Sequence, residues 1–281
     1  MARRFEASIL TPAKLNLFLR ITGVRNDGYH NLFSLFVPVT LFDEIKIRKD
    51  RKISGEFAGY DFPFEKSSVF RAATLFFSAT GIRSGCYIRV KKEIPAGAGL
   101  GGGSSDAAAV LKLLNLLYGY PLTRSDLLAL ASKAGADVPF FILSRPSLVE
   151  GVGDIIHEFE MPLKIWFVVI YPGFESSTPE IYREYDNLTE KNQNIKIKQN
   201  FDWRGLLGEN DLEKPFLKVY SEGNEVRKMI ESTGGFDFYG LTGSGSSWYV
   251  AFFNRKRRDE FQKRFWRVCK PHWQCFSVNI F

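Results

Sequence analysis

Cysteine is scarce: Cys86, Cys269 and Cys275 are the only three in 281 residues. An odd count without Cys-x-x-Cys spacing excludes a disulfide scaffold and a zinc knuckle, so the thiols read as buried or incidental. Long apolar runs are missing as well. The longest, Ile165 to Tyr171, has seven residues, against the roughly 18 needed to cross a bilayer as a helix. Met1 to Phe5 hold no apolar h-region. Neither a secretory signal nor a transit peptide is therefore expected, and a cytoplasmic protein with no membrane partner is the default. A surplus of one charge sign is also nearly absent outside a single place. Of the net +7, Asn254 to Lys270 carries most, with eight basic residues (Arg255, Lys256, Arg257, Arg258, Lys263, Arg264, Arg267, Lys270) against Asp259 and Glu260. Nucleic-acid binders usually spread basic surface over the fold, so no nucleic-acid partner is expected. Phe261, Phe265 and Val268 stand at i, i+4 and i+7, which predicts an amphipathic helix with a solvated charged face.

What is present is an ordinary globular composition, 45% hydrophobic and 25% charged, which excludes wholesale disorder and collagen-like repeats. At about 150 residues per domain the chain makes one large domain or two modest ones. Leu15 to Ile21, Glu44 to Arg48 and Cys86 to Lys91 alternate as half-buried strands, and Arg25 to Gly28 is a turn. Ser67 to Ala79 reads as a helix with a Ser cap. Ser104 to Tyr118 is a second helix, ended by Gly119, and Thr123 to Asp126 is a capping box opening a third. A buried strand runs from Leu163 to Ile170, a long polar connection passes through Asn187 to Gln199, and Tyr239 to Phe253 restarts a strand. Strands come in groups without a regular βαβ rhythm, so the fold class is α+β. A soft boundary near Met161 divides the chain into 1–160 and 161–281.

Pro95 to Gly103 is the most informative stretch. Gly97-Ala98-Gly99-Leu100-Gly101-Gly102 formally matches G-x-G-x-x-G, but Tyr87, Arg89 and Lys91 give the preceding strand a wet face that a Rossmann sheet would not have. No Gly-Lys-Ser/Thr follows, which excludes a Walker A loop, and no His-Arg-Asp or Asp-Phe-Gly occurs, which excludes a protein kinase. What remains is a run of small residues feeding Ser104 and Ser105 at the start of an apolar helix. Amides at such a helix start and glycines without side chains suit close approach of phosphate oxygens.

Pro95 to Ala108, Pro-Ala-Gly-Ala-Gly-Leu-Gly-Gly-Gly-Ser-Ser-Asp-Ala-Ala, resembles the ATP loop of the GHMP kinases. Three further stretches are similar to the members of that family acting on a cytidine-diphosphate-capped sugar alcohol in the non-mevalonate isoprenoid route: Thr11 to Leu17, Gly28-Tyr29-His30 and Gly135 to Phe141. Asn210 to Glu213 and Leu241 to Ser246 follow in the same order, so the resemblance covers about Thr11 to Phe253. It implies an N-terminal ATP-binding domain and a ferredoxin-like C-terminal domain. It implies ATP and Mg²⁺ as cofactors, with Pro95, Gly97, Gly99, Leu100, Gly101, Gly102, Gly103, Ser104 and Ser105 on the nucleotide and the Ser105 hydroxyl on the metal. Asp137 is then the general base that takes the 2-hydroxyl proton, and Lys14 holds Asp137 and stabilises the developing alkoxide. Asn16, Tyr29, His30, Tyr182, Thr242, Gly243 and Ser244 are the expected substrate contacts, with Tyr29, His30 and Tyr182 at the cytosine. Two positions depart from the pattern: Ser68 stands where Asn is usual, and Asp154 where Glu is common.

Two other readings stay open. The ATP loop alone does not name the acceptor, so a GHMP kinase for homoserine, mevalonate or another small alcohol is one. An RNA-binding module using Arg255 to Lys270 on a kinase-like fold is the other, against which the retention of both Lys14 and Asp137 argues. A monomer and a homodimer are equally compatible with the sequence.

Overall fold

The computed structural model describes residues 6–188 and 202–281. The fold is α+β and falls into two compact units built from interleaved segments, one of 1–13, 41–94 and 101–145, the other of 14–40, 95–100 and 146–281. Two long strands, β1 (Ala7–Val24) and β2 (His30–Asp50), are each divided between the units.

In the first unit the later half of β2 alternates inward and outward, with Leu41, Asp43, Ile45 and Ile47 buried. It pairs antiparallel with β4 (Gly85–Lys91), which pairs in parallel with β3 (Ser54–Ala58). Four helices follow from local signals. α1 (Ser68–Thr80) starts where the Ser67 hydroxyl accepts the Phe70 amide and stops at Gly81 with φ +67. It buries Val69, Ala72, Ala73, Phe76 and Phe77, a stripe at helical spacing. α2 (Gly102–Leu117) packs against α1 and against α4 (Val138–Leu143). It starts two residues earlier than its sequence pattern suggests, because Gly101 at φ +71 turns the chain directly into the first helical turn. Its burial is nearly all-round from Ser105 to Asn115 but ends there, leaving Leu116 exposed. α3 (Arg124–Ala134) has the expected capping box, with Thr123 and Asp126 exchanging bonds.

In the second unit the early half of β2 pairs antiparallel with β5 (Ser147–Gly151), which pairs antiparallel with β6 (Ile155–Glu158), and a second sheet has the order β10-β7-β9-β8, all antiparallel. The strands are β7 (Trp166–Tyr171), β8 (Phe238–Leu241), β9 (Trp248–Phe252) and β10 (Gln274–Asn279). In chain order this is 4-1-3-2, the ferredoxin-like arrangement. The two central strands are buried throughout their middles, from Phe167 to Ile170 and from Trp248 to Phe252. Tyr239 to Phe253 is thus two strands around a turn rather than one. The middle of β1 and the early part of β2 are also more buried than alternation suggests. Lys14 to Leu19 has no exposed position, which puts a lysine and an asparagine inside the protein.

The connection after β7 is not wholly loop. Thr178–Leu188 forms an amphipathic helix, α5, with Ile181 buried and Ile181, Tyr185 and Leu188 at helical spacing among polar residues. The rest of the polar stretch, 189–199, lies outside the described residues. Between α5 and β8 come α6 (Glu213–Val219) and α7 (Glu222–Thr233). The basic segment forms α8 (Arg255–Trp266), with Phe261 and Phe265 buried as expected. Val268 lies beyond the helix and is exposed, and the third inward position is taken by Arg258, bonded to Asp259 at 2.6 Å. Arg257 pairs with Asp237 and Lys270 with Glu225, so part of the basic surplus is spent inside the unit. Among the described residues no helix is long and apolar enough to cross a membrane.

Candidate active site

Lys14 is 4% exposed, and its ammonium donates to Asn16 Oδ1 and sits 4.8 Å above the centre of the Phe36 ring. Asn16 is the hub of a buried polar network. Its amide N–H donates to Thr242 Oγ1 at 3.2 Å, its Nδ2 to Ser34 Oγ at 3.0 Å, and its Oδ1 lies 3.3 Å from the Thr242 hydroxyl. The Thr242 hydroxyl also lies 3.2 Å from the carbonyl of Gly99, and Gly243 lies close enough that a Cβ there would stand 3.3 Å from Lys14 Nζ. Five residues expected at the site, Lys14, Asn16, Gly99, Thr242 and Gly243, are therefore brought together within the second unit. Ser34 joins them without having been foreseen, and so does Asn210, which the resemblance included in its Asn210 to Glu213 stretch without a role. Asn210 Nδ2 donates to the carbonyls of Leu241 and Gly243, both at 2.8 Å, and so fixes the turn that carries Thr242. Ser244 Oγ meets Thr178 Oγ1 at 2.7 Å, tying the same turn to the start of α5.

The glycine-rich stretch has two chemically different sides. The carbonyls of Gly97, Ala98, Gly99 and Leu100 accept, in turn, from the amide of Ser176, the amide of Ser247, the hydroxyl of Thr242 and the amide of Lys14. The Gly101 carbonyl accepts the Ser105 amide in the first turn of α2. Among the described residues none of the amides of Gly97 to Gly101 donates to a protein group. Gly97, Gly99 and Gly101 all have positive φ, at +58, +75 and +71, and a Cβ on Gly99 would stand 2.8 Å from the Gly245 carbonyl oxygen. A loop whose carbonyls are engaged and whose amides are left without protein partners has donors that can meet anionic oxygens.

In the first unit Gly102 and Gly103 begin α2, and Ser68 Oγ donates to the Gly103 carbonyl at 2.7 Å. The departure from Asn at position 68 thus leaves a side chain that steadies the helix start. Asp154, the other departure, accepts the Val152 amide in a turn. Ser104 is half-buried at the first turn, whereas the Ser105 hydroxyl is fully buried, donates to the Pro12 carbonyl at 2.7 Å and meets the Thr11 hydroxyl. Ser105 is therefore spent on holding α2 to β1 and does not fit its expected role as a metal ligand. Among the described residues no cluster of three or more His, Cys, Asp or Glu side chains is placed to hold a metal ion either. Asp137 stands at the N-terminus of α4 but makes no capping bond, so its carboxylate is not there to end a helix.

Behind the start of α2 lies a buried ionic cluster that sequence patterning did not reveal. Lys92 Nζ donates to Asp43 at 2.5 Å and to Asp106 at 2.8 Å. Asp43 also accepts the amides of Glu93 and Ile94, at 2.6 and 2.8 Å, and is satisfied as an anion. Asp106 has one oxygen without a partner. Burial pushes the Asp106 carboxyl up to about 7, against the pull of Lys92 and with Asp43 adding to the rise. A carboxyl raised above its unfolded value contributes stability at acid pH that is lost as pH rises towards the folded value. Asp106→Asn should thus raise the melting temperature only modestly at pH 5, where the loss has begun, and more at pH 8. Melting curves across that range decide it, and equal shifts at both ends would mean Asp106 is fully ionised in the fold throughout.

The expected base-binding residues divide. Tyr29 is 66% exposed on its turn, while His30 is buried and packs against Tyr182 of α5 with ring centroids 4.9 Å apart. Tyr185 meets the same imidazole edge-on at 5.7 Å, and Asp186 bonds its Nε2 at 2.7 Å. Neither residue was foreseen at the site, since both lie more than 150 positions from His30 and nothing within their own segment points to that partner.

Known proteins share these features. Residues 67–145 match the GHMP kinases N terminal domain. The chain is 41% identical over 247 residues to the 4-diphosphocytidyl-2-C-methyl-D-erythritol kinase of Methylacidiphilum infernorum, covering 86% of this chain and 84% of the relative. It is 39% identical over 252 residues to the kinase of the same name from Burkholderia ambifaria, with the same coverage. A crystal structure of 4-(cytidine 5'-diphospho)-2C-methyl-D-erythritol kinase superposes with a TM-score of 0.78 at 31% identity, over 98% of this chain and 100% of that one. A homoserine kinase from Cytophaga hutchinsonii, at TM-score 0.71 and 17% identity over 100% and 97% of the two chains, shares the fold alone. The family model and this degree of identity over most of both chains place the protein in the GHMP kinases, as an ATP-dependent small-molecule kinase belonging to the 4-diphosphocytidyl-2-C-methyl-D-erythritol kinase family.

Proposed function

We propose that the protein transfers the γ-phosphoryl group of ATP to the 2-hydroxyl of 4-diphosphocytidyl-2-C-methyl-D-erythritol, the substrate named in its relatives. The observation that carries the ATP half is the division of the glycine-rich loop into engaged carbonyls and unengaged amides. The amides of Gly97 to Gly103 and the Ser104 hydroxyl receive the β- and γ-phosphate oxygens, with Pro95 and Leu100 shaping the loop. ATP enters as its magnesium complex, so the metal travels with the nucleotide as part of the substrate.

Asp137 takes the proton of the 2-hydroxyl as that oxygen bonds to the γ-phosphorus, and the bond to the bridging oxygen breaks to release ADP. Lys14 supplies positive charge for the oxygen that loses its proton, and its buried position makes that charge count for more than it would in water. Asn16 aims the Lys14 ammonium, and the turn of Thr242, Gly243 and Ser244 borders the substrate. His30 and Tyr182 take the cytosine, with Tyr29 as a second aromatic on the turn beside them.

The direct test is ATP consumption by the purified protein with the cytidyl substrate, with homoserine and with mevalonate. Turnover with the cytidyl substrate alone is the expected result, and turnover with either of the others in its place would move the acceptor. Gly101→Val tests the loop. A branched side chain at φ +71 is strained and crowds the phosphate path, so ATP affinity should fall by about tenfold or more. Calorimetric titration beside a melting curve reads this. Normal affinity in a folded variant would remove the phosphates from the loop.

A further inference from the structure

The His30 imidazole presents two different nitrogens. Nε2 lies 2.7 Å from Asp186 Oδ1, and among the described residues no hydrogen bond reaches Nδ1. The His30 side chain is 6% exposed and that of Asp186 41%, so water reaches the carboxylate more readily than the ring. A carboxylate only accepts. The bond therefore holds the imidazole proton on Nε2 and leaves Nδ1 with a bare lone pair. The ring is held from two sides, by Tyr182 tilted at 38° and by Tyr185 at 86°. Its helix is itself anchored, by buried Ile181 and by the Thr178 bond to Ser244.

Cytosine and uracil have the same ring size and differ at position 4, where one carries an amino donor and the other a carbonyl acceptor. A lone pair at Nδ1 bonds the first and repels the second, whereas an N–H there would favour the second. We propose that Asp186 is a positioning residue for base choice: by keeping the His30 proton on Nε2, it makes Nδ1 an acceptor that selects a cytosine over a uracil nucleotide cap. The inference rests on the reading of His30 and Tyr182 as the base end of the site.

The experiment compares wild type, Asp186→Ala and Asp186→Asn on the cytidyl substrate and its uridyl analogue, with ¹⁵N spectra of the His30 imidazole recorded for each. The wild type should show a single Nε2–H tautomer and prefer the cytidyl cap. In Asp186→Ala the tautomers should mix and the cytidyl preference fall by about tenfold or more, with KM for the cytidyl substrate rising further than kcat falls. Asp186→Asn, whose side-chain oxygen still accepts from Nε2, should recover part of both. An unchanged preference or an unchanged imidazole spectrum in Asp186→Ala, with wild type still selective, overturns the role of Asp186. A wild type that uses both caps equally overturns the reading of His30 and Tyr182 beneath it.

Discussion

Asp137→Asn is expected to lower kcat by about 10² or more while ATP and substrate KM stay within about a few-fold. The change keeps the size and shape of the side chain and removes only its ability to accept a proton. Because Asp137 makes no capping bond to α4, its replacement takes no hydrogen bond from the helix end. Any change in melting temperature would then report the loss of the carboxylate's charge rather than the loss of a helix cap. That separation matters, since a carboxylate at a helix N-terminus ordinarily contributes to stability by capping. Steady-state rates with both substrates varied, together with a melting curve, read the outcome. A near-normal kcat would place the base elsewhere. A collapse of stability alongside the rate would return Asp137 to a structural role.

Lys92→Met should carry the largest stability loss of any single change in the first unit. The ammonium joins two buried carboxylates, and burial works against its charge less than Asp106 and Asp43 work for it, which holds its ionisation above the ordinary lysine range. Removing one partner of a buried ion pair costs about 3–5 kcal/mol because a charge is left behind uncompensated. For a chain of this size that corresponds to a fall of roughly 10 °C in melting temperature. Asp43 retains two amide donors, so the uncompensated group is Asp106. Since Asp106 escapes by taking up a proton, the loss should be smaller at pH 6 than at pH 8. The double variant Lys92→Met, Asp106→Asn should recover a substantial part of it. Melting temperatures of the three proteins at the two pH values test this. A loss of under about 1 kcal/mol at pH 8, the size of a surface pair, would show that water reaches the cluster.

The sequence showed the glycine-rich loop and the helix after it, because runs of glycine and of alanine with leucine have few other uses. It also showed α1 with its Ser cap. Its misreadings have local causes. Successive residues on a helix point about 100° apart, so adjacency to the loop could not tell that Ser105 faces Pro12 and Thr11 while Ser104 faces outward. In α8 the periodic reading chose Val268 because it is apolar, but the inward position belongs to Arg258, whose long stem is buried while its guanidinium finds Asp259. The partners of Asn210, the role of Asp186 and the pairing of Lys92 with Asp43 were invisible for another reason. Each involves residues distant in the chain, and no pattern within a single segment encodes such a meeting.

The four carbonyls of the glycine-rich loop are held by three separate stretches of chain, at Lys14, at Ser176, and at Thr242 with Ser247. Fixing the backbone of a residue costs about 1–2 kcal/mol in conformational entropy, and glycine loses more than any other type. Here that loss falls on the folding of the second unit, before any nucleotide arrives. Binding energy from the phosphates is then not consumed in ordering the loop that receives them. The same arrangement makes the loop's shape a property shared among distant segments: a substitution at Thr242 or Ser176 that touches no phosphate would still loosen the receptor, and would be felt first as weaker nucleotide binding.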